Sequence, residues 1–251
     1  MNSIVVSSVV FACVFAGSLV GMALHRALPE DHLGSDAKDV VKLAMGLIAT
    51  MAALVLGMLV SSAKSSYDTR KSEVAEMSSR IVTLDQLLAG YGPETRECRA
   101  EFRDLVANGL DLIWPREASR QVDLRPRESG ESFYTQLRSL TPKNDSQSAI
   151  KAEIISVAAN LRLTRWRMFI EAEQSSMSIP LLVVLVSWLV AIFIGLGLFA
   201  PTNPTVIVSL LISALAVSAA IFIIMEMYTP FSGVLQISSA PIRDALNQLG
   251  H

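Results

Sequence analysis

Four runs of about twenty residues, 4–24, 43–63, 177–200 and 204–225, contain no Asp, Glu, Lys, Arg or His. About twenty apolar residues in a helix cross roughly 30 Å of hydrocarbon. Within hydrocarbon a helix also satisfies its own backbone donors and acceptors, which an isolated strand cannot do. All 21 Lys and Arg, all 23 Asp and Glu and all three His lie outside the runs. Only 18% of the chain is charged and 51% is hydrophobic, against about 25% charged in soluble proteins. These features predict an all-α membrane protein with four transmembrane helices in two hairpins and a membrane-proximal cytoplasmic helical bundle.

The expected divisions follow the charge. Residues 1–63 form the first transmembrane hairpin, 64–176 a cytoplasmic helical domain, 177–226 the second hairpin and 227–251 a cytoplasmic C-terminal segment. Residues 64–176 carry 17 basic and 17 acidic side chains, a composition suited to water. Met1-Asn2-Ser3 places no basic residue before the first run, so that run reads as a retained span rather than a cleaved leader. Lys64, Arg70, Lys71, Arg80, Arg162, Arg165, Arg167 and Arg243 flank the spans on one side, against Arg26, Lys38 and Lys42 on the other. The excess of basic residues on the cytoplasmic side then puts both termini and residues 64–176 in the cytoplasm, with the protein in the inner (plasma) membrane. Lys64, Arg70, Lys71, Arg162, Arg165 and Arg167 are candidates for lipid-headgroup contact, or they serve only to set the topology.

Beyond the second span, Val74, Met77, Ile81, Leu84, Leu88 and Tyr91 recur at alternating steps of three and four, a heptad-like stripe. Nothing between Lys64 and Ala89 breaks a helix, so one rod is expected from Asp39 to Gly90, roughly 78 Å at 1.5 Å per residue. Gly92-Pro93 supplies a stop and a restart. A further helix is expected over 93–114, with Gly109 interrupting its apolar face, then a loop over 116–130. A short helix carries Phe133, Leu137 and Leu140, and a long one runs from Ser146 to Glu173 with Ile150, Ile154, Ala158 and Leu161 on one face.

Within the spans the informative pattern is small residues. Ala49, Ala53, Gly57 and Ser61 recur every fourth residue in the second span, Gly17 and Gly21 pair in the first, and Ser213, Ala216 and Ala220 follow the fourth. Such spacing lets helices approach closely. The second-span stripe is therefore either a packing face inside one subunit or the lining of a narrow path on a symmetry axis. Asp39 and Lys42 at one end of that span, and Glu226 beyond the fourth, are candidate mouth charges. Asp39 reads equally well as a carboxylate favouring a helix N-terminus and paired with Lys42 three residues on. With no acidic, basic or imidazole group inside a span, coupled transport is disfavoured, whereas a passive pore needs only dipoles, a constriction and charges at its mouths.

No catalytic constellation, phosphate loop or paired-His helix is present in the sequence, so an enzyme is not expected and no cofactor is implied. His25, Glu30, Asp31, His32 and Asp36 cluster in a short polar loop, but no metal site is assigned to them. Cys13, in a span, and Cys98, in the water-facing insert, are poor disulfide partners.

The strings LPEDHLGSDAKDVVKLAMGLIATMAALVLGMLVSSAKSSYD, LDQLLAGYGPETR, IWP and YTPFSGVLQISSAPIRDAL resemble the bacterial bestrophin-like domain proteins over nearly the whole chain. The resemblance implies a helical membrane protein with a cytoplasmic helical insert and, through the bestrophins, an oligomeric anion channel. The second span has no aromatic residue with which to build the apolar neck of true bestrophins. The leading expectation is an oligomeric channel-like integral membrane protein passing small ions, partnered by the bilayer and by further copies of the chain, with no nucleic-acid partner. The alternative is a noncatalytic scaffold or accessory subunit that binds a partner through its bundle.

Overall fold

The computed structural model describes residues 2–29, 34–115, 129–174, 179–201 and 203–249. Every regular element among them is helical: α1 (Ser3–Ala27), α2 (Ser35–Tyr91), a single 3₁₀ turn (Pro93–Thr95), α3 (Arg96–Ile113), α4 (Ser129–Ser139), α5 (Asp145–Gln174), α6 (Ile179–Phe199), α7 (Pro204–Met227) and α8 (Ala240–Gln248). Four of these helices, α1, α2, α6 and α7, are long and apolar enough to cross a membrane. The expected rod is present as one uninterrupted helix, four residues longer at its start than the apolar pattern alone indicated. Of the expected loop over 116–130, residues 116–128 lie outside the described residues, while Ser129 and Gly130 already belong to α4.

The end of α2 shows how local chemistry stops a 57-residue helix. Gly92 adopts φ 137°, a backbone conformation that disfavours any residue with a Cβ. The last carbonyls, which have no partner within the helix, are taken up by side chains from beyond it. The Thr95 hydroxyl donates to the Leu88 carbonyl, and the Gln147 side-chain amide donates to the Tyr91 carbonyl at 2.9 Å. Pro93 then opens the next turn, where a missing N–H costs nothing.

The chain divides into two compact units. The first comprises residues 1–66 and 177–228. Its core joins Val10 and Val14 of α1 to Leu185 and Phe193 of α6 and to Ala214 and Ile221 of α7. Gly17 and Gly21 let α1 approach α6 backbone to backbone: a Cβ on Gly21 would overlap the Ile194 carbonyl, and a Cβ on Gly197 would overlap the Ser18 carbonyl. The Ser218 hydroxyl of α7 donates to the Ser7 carbonyl of α1 at 2.6 Å. A hydrogen bond of this kind persists in hydrocarbon because no water competes for the acceptor.

The second unit comprises residues 67–176 and 229–251. The heptad stripe of α2 supplies Val74, Ile81, Leu84 and Leu88 to its core, opposite Phe102 of α3, Leu137 of α4 and Ile154 of α5. Phe102 and Phe133 stack with ring centroids 5.3 Å apart. Arg99 of α3 donates through Nε and Nη2 to the two carboxylate oxygens of Asp85 on α2, both at 2.8 Å, a forked pairing that fixes orientation as well as distance.

The sequence reading set the C-terminal residues 227–251 apart as a segment of their own. In the structure residues 229–249 fold into this second unit, where Phe231, Ile237, Ile242 and Leu249 are buried. Trp114 anchors the segment: its indole N–H donates to the Ile237 carbonyl at 2.8 Å, and its ring meets that of Phe231 edge-on at 5.6 Å.

Candidate ion path and membrane-edge charges

Of the four apolar helices α2 is the least covered by its own chain. Only 11% of its apolar window is buried, against 28–33% in the other three. Its buried positions, Ala52, Leu59 and Ala63, follow steps of seven and four, one helical face. The small-residue stripe occupies other positions: Ala49 is half-buried, and Ala53, Gly57 and Ser61 are exposed. A Cβ added to Gly57 would meet no heavy atom within 4 Å. Ala53, Gly57 and Ser61 thus face open space in the single chain.

Gly17 and Gly21 have the opposite fate, both buried against α6. Sequence reasoning missed their counterparts. Gly197 completes the α1 crossing, and Gly195 meets the Met45 side chain of α2. The signal was there, two glycines in an otherwise bulky span, but their spacing of two matches no small-xxx-small pattern.

The candidate mouth charges separate in the same way. Asp39 and Lys42 are exposed and paired at 3.8 Å, the geometry of a local helix pair worth a few tenths of a kcal/mol (~0.3–0.5). Glu226 is 4% exposed, so in the single chain it is an interior residue at the end of α7 and not an open mouth charge. Two residues on, the Tyr228 hydroxyl reaches the Ser62 hydroxyl of α2 at 3.3 Å.

Among the basic residues proposed for lipid headgroups, Lys64, Lys71, Arg162 and Arg167 are exposed and Arg165 is half-buried. Arg70 departs from the expectation. It is 2% exposed and donates through Nη1 to the Met168 carbonyl of α5 at 3.3 Å, which closes it to a headgroup. The heptad stripe explains the inward turn, since Arg70 lies one helical turn before Val74. Arg80 is held by Glu76 at 2.6 Å and reaches the Thr164 hydroxyl at 3.3 Å.

No group of three metal-binding side chains occurs among the described residues; Glu30, Asp31 and His32 of the polar-loop cluster lie outside them. Cys13 and Cys98 are both free thiols. Cys98 is buried, which together with the nearby Glu101 carboxylate pushes its thiol pKa up and keeps it protonated and unreactive.

A family model described as a bestrophin-like domain matches residues 12–242. Comparison with curated proteins and with solved structures gives no match. Four membrane-length apolar helices and a family match over nearly the whole chain identify a membrane protein that belongs to the bestrophin-like family.

Proposed function

We propose that the protein is an oligomeric channel-like membrane protein that passes small ions, anions being the class suggested by the family. The observation that carries this reading is the exposure of the α2 stripe. A glycine with open space around it, on the least covered apolar helix of the chain, supports a surface completed by other copies of α2. Ala49, Ala53, Gly57 and Ser61 would then line or flank the axis. Asp39 and Lys42 would stand at one mouth, while Glu226, buried in the single chain, would serve the packing at the end of α7.

In this reading the spans pair as two hairpins, and both termini and residues 64–176 are cytoplasmic in the inner (plasma) membrane, as the basic-residue asymmetry favours. Reporters fused after His251 and inserted at Ser129 should both report cytoplasm; opposite locations would overturn the arrangement. Lys64, Lys71, Arg162 and Arg167, all exposed, would meet anionic headgroups on that side.

The test of conduction is flux through reconstituted protein of measured stoichiometry. Gly57→Leu should abolish flux and leave assembly nearly intact, because no heavy atom of the single chain lies within 4 Å of a Cβ there. The second reading, a noncatalytic scaffold or accessory subunit, is favoured by the lack of any charged group on the stripe, which suits helix packing between copies as well as a path. A monomer, or a well-assembled oligomer with no flux for any small anion or cation near neutral pH, would select it.

A further inference from the structure

The second unit carries a half-open cavity of about 690 Å³, within the roughly 300–1,000 Å³ typical of small-molecule sites. Its lining is largely apolar, with Leu84 of α2, Phe102 and Val106 of α3, Phe133 of α4 and Ala158 of α5 among the lining residues. Its polar lining is different in kind: Arg162 and Arg165 of α5 supply two cations, against the single carboxylate of Glu131 and the amide of Asn108.

Two details bear on how the cations are held. The Arg162 guanidinium lies over the Tyr134 ring, 5.0 Å from its centroid, and the Arg138 guanidinium lies 5.1 Å from the same centroid. A cation held over a ring face is oriented without using its N–H donors, and a guanidinium has five of them. Arg162 is also exposed, so those donors can be reached from solvent. The second detail is Gly109. Arg165 Nη1 lies 3.0 Å from the place a Cβ would occupy there. The glycine that breaks the apolar face of α3 thus makes room for the Arg165 guanidinium, which also interacts elsewhere in the chain.

We infer that this cavity binds a single-chain amphipathic anion, its acyl chain against the apolar lining and its carboxylate or phosphate head on Arg162, with Arg165 adding positive potential. A small hydrophilic anion would leave the apolar volume unfilled, and a neutral hydrocarbon would leave the cations unused. The inference stands apart from the channel reading, since binding is measured without flux.

The test uses the full chain in nanodiscs of zwitterionic phosphatidylcholine. Trp166→Phe, a conservative change at a second lining position, and Trp188→Phe leave Trp114, which also lines the cavity, as the one tryptophan, excited at wavelengths where tyrosine does not absorb. A twelve-carbon fatty acid brominated at its tail should quench Trp114 saturably. Laurate and dodecyl phosphate should compete, and their ranking distinguishes a free fatty acid from a phosphate-headed lipid. Methyl laurate should compete at least about tenfold more weakly, the factor expected for losing a charge-assisted hydrogen bond. Arg162→Gln should weaken laurate by about the same factor and leave methyl laurate unchanged, with Arg162→Lys recovering part of the loss. Arg162 is exposed, so these variants leave the fold intact, which a thermal melt verifies. Unsaturable quenching, equal competition by acid and ester, or an unchanged response in Arg162→Gln would each overturn the inference.

Discussion

Gly21 of α1 lies so close to Ile194 of α6 that one added carbon would overlap the Ile194 carbonyl oxygen. The obstacle is backbone, not the end of a flexible side chain, so it cannot swing aside. Gly21→Ala should separate α1 from α6 and destabilise the first unit by about 1–3 kcal/mol, the usual cost of overpacking. Gly57→Ala, with nothing within 4 Å, should leave the stability of the isolated chain nearly unchanged. Thermal melts of the two variants in one detergent compare them directly; equal losses would contradict the crossing described.

The forked pair of Asp85 and Arg99 should behave as one energetic element. The Asp85 side chain is only 8% exposed and that of Arg99 23%, and the hydrogen bonds to Asp85 hold the Arg99 guanidinium above its ordinary pKa. Arg99→Met should cost about 1.5–3 kcal/mol, the range for hydrogen bonds to charged groups. The double variant with Asp85→Leu should lose less than the sum of the two single changes. Strict additivity in a double-mutant cycle would show that the pair holds α2 and α3 together through packing alone.

Trp114 ties the C-terminal residues to the second unit. Trp114→Phe removes the donor to the Ile237 carbonyl and leaves a buried acceptor unmet, at a cost of about 1–3 kcal/mol. Ending the chain after Tyr228 should do far more, because Phe231, Ile237, Ile242 and Leu249 each contribute roughly 1.5–3 kcal/mol by burial. Limited proteolysis reads the result as cleavage spreading into residues 67–174; a truncated protein as resistant as the full chain would show the segment to be dispensable.

Glu94 and Lys143 form an exposed ion pair whose contribution should depend on pH. The Lys143 side-chain hydrogen bond holds the Glu94 carboxyl below its ordinary pKa, and the same bond raises that of the Lys143 ammonium. A lowered carboxyl adds stability above its unfolded pKa and loses it as pH falls through the folded value; a raised lysine adds stability below its unfolded pKa and loses it as pH rises through the folded value. The window therefore lies between the carboxylate and amine ranges. Lys143→Ala should lower Tm slightly at neutral pH, with the difference vanishing in acid and shrinking in high salt. A difference constant with pH would assign the effect to packing.

Much of the fold was legible in the residues because the governing terms act along the chain. Ionisable groups are excluded from hydrocarbon at high cost, so four charge-free runs mark four apolar helices. The heptad stripe from Val74 to Tyr91 told of one long helix, and Gly92-Pro93 told where it ends. The candidate site was less legible. Gly17, Gly21 and Gly57 are the same residue in the same kind of apolar run, yet two are pressed against α6 and one faces open space. Small size permits a close approach and does not say which neighbour arrives.

Charge was misleading for a similar reason. Arg70 and Glu226 read as surface groups from their type, and both are buried, Arg70 through a hydrogen bond to Met168, a residue 98 positions away. The α1–α6 crossing, the docking of residues 229–249 on Trp114 and the approach of Arg165 to Gly109 also join residues remote in sequence. The sequence by itself determined where the chain meets hydrocarbon and where it is helical, since transfer cost and backbone propensity are properties of residues and their near neighbours. Only the tertiary structure decided which faces meet, because a contact between distant residues is selected by the shape and charge of both surfaces together.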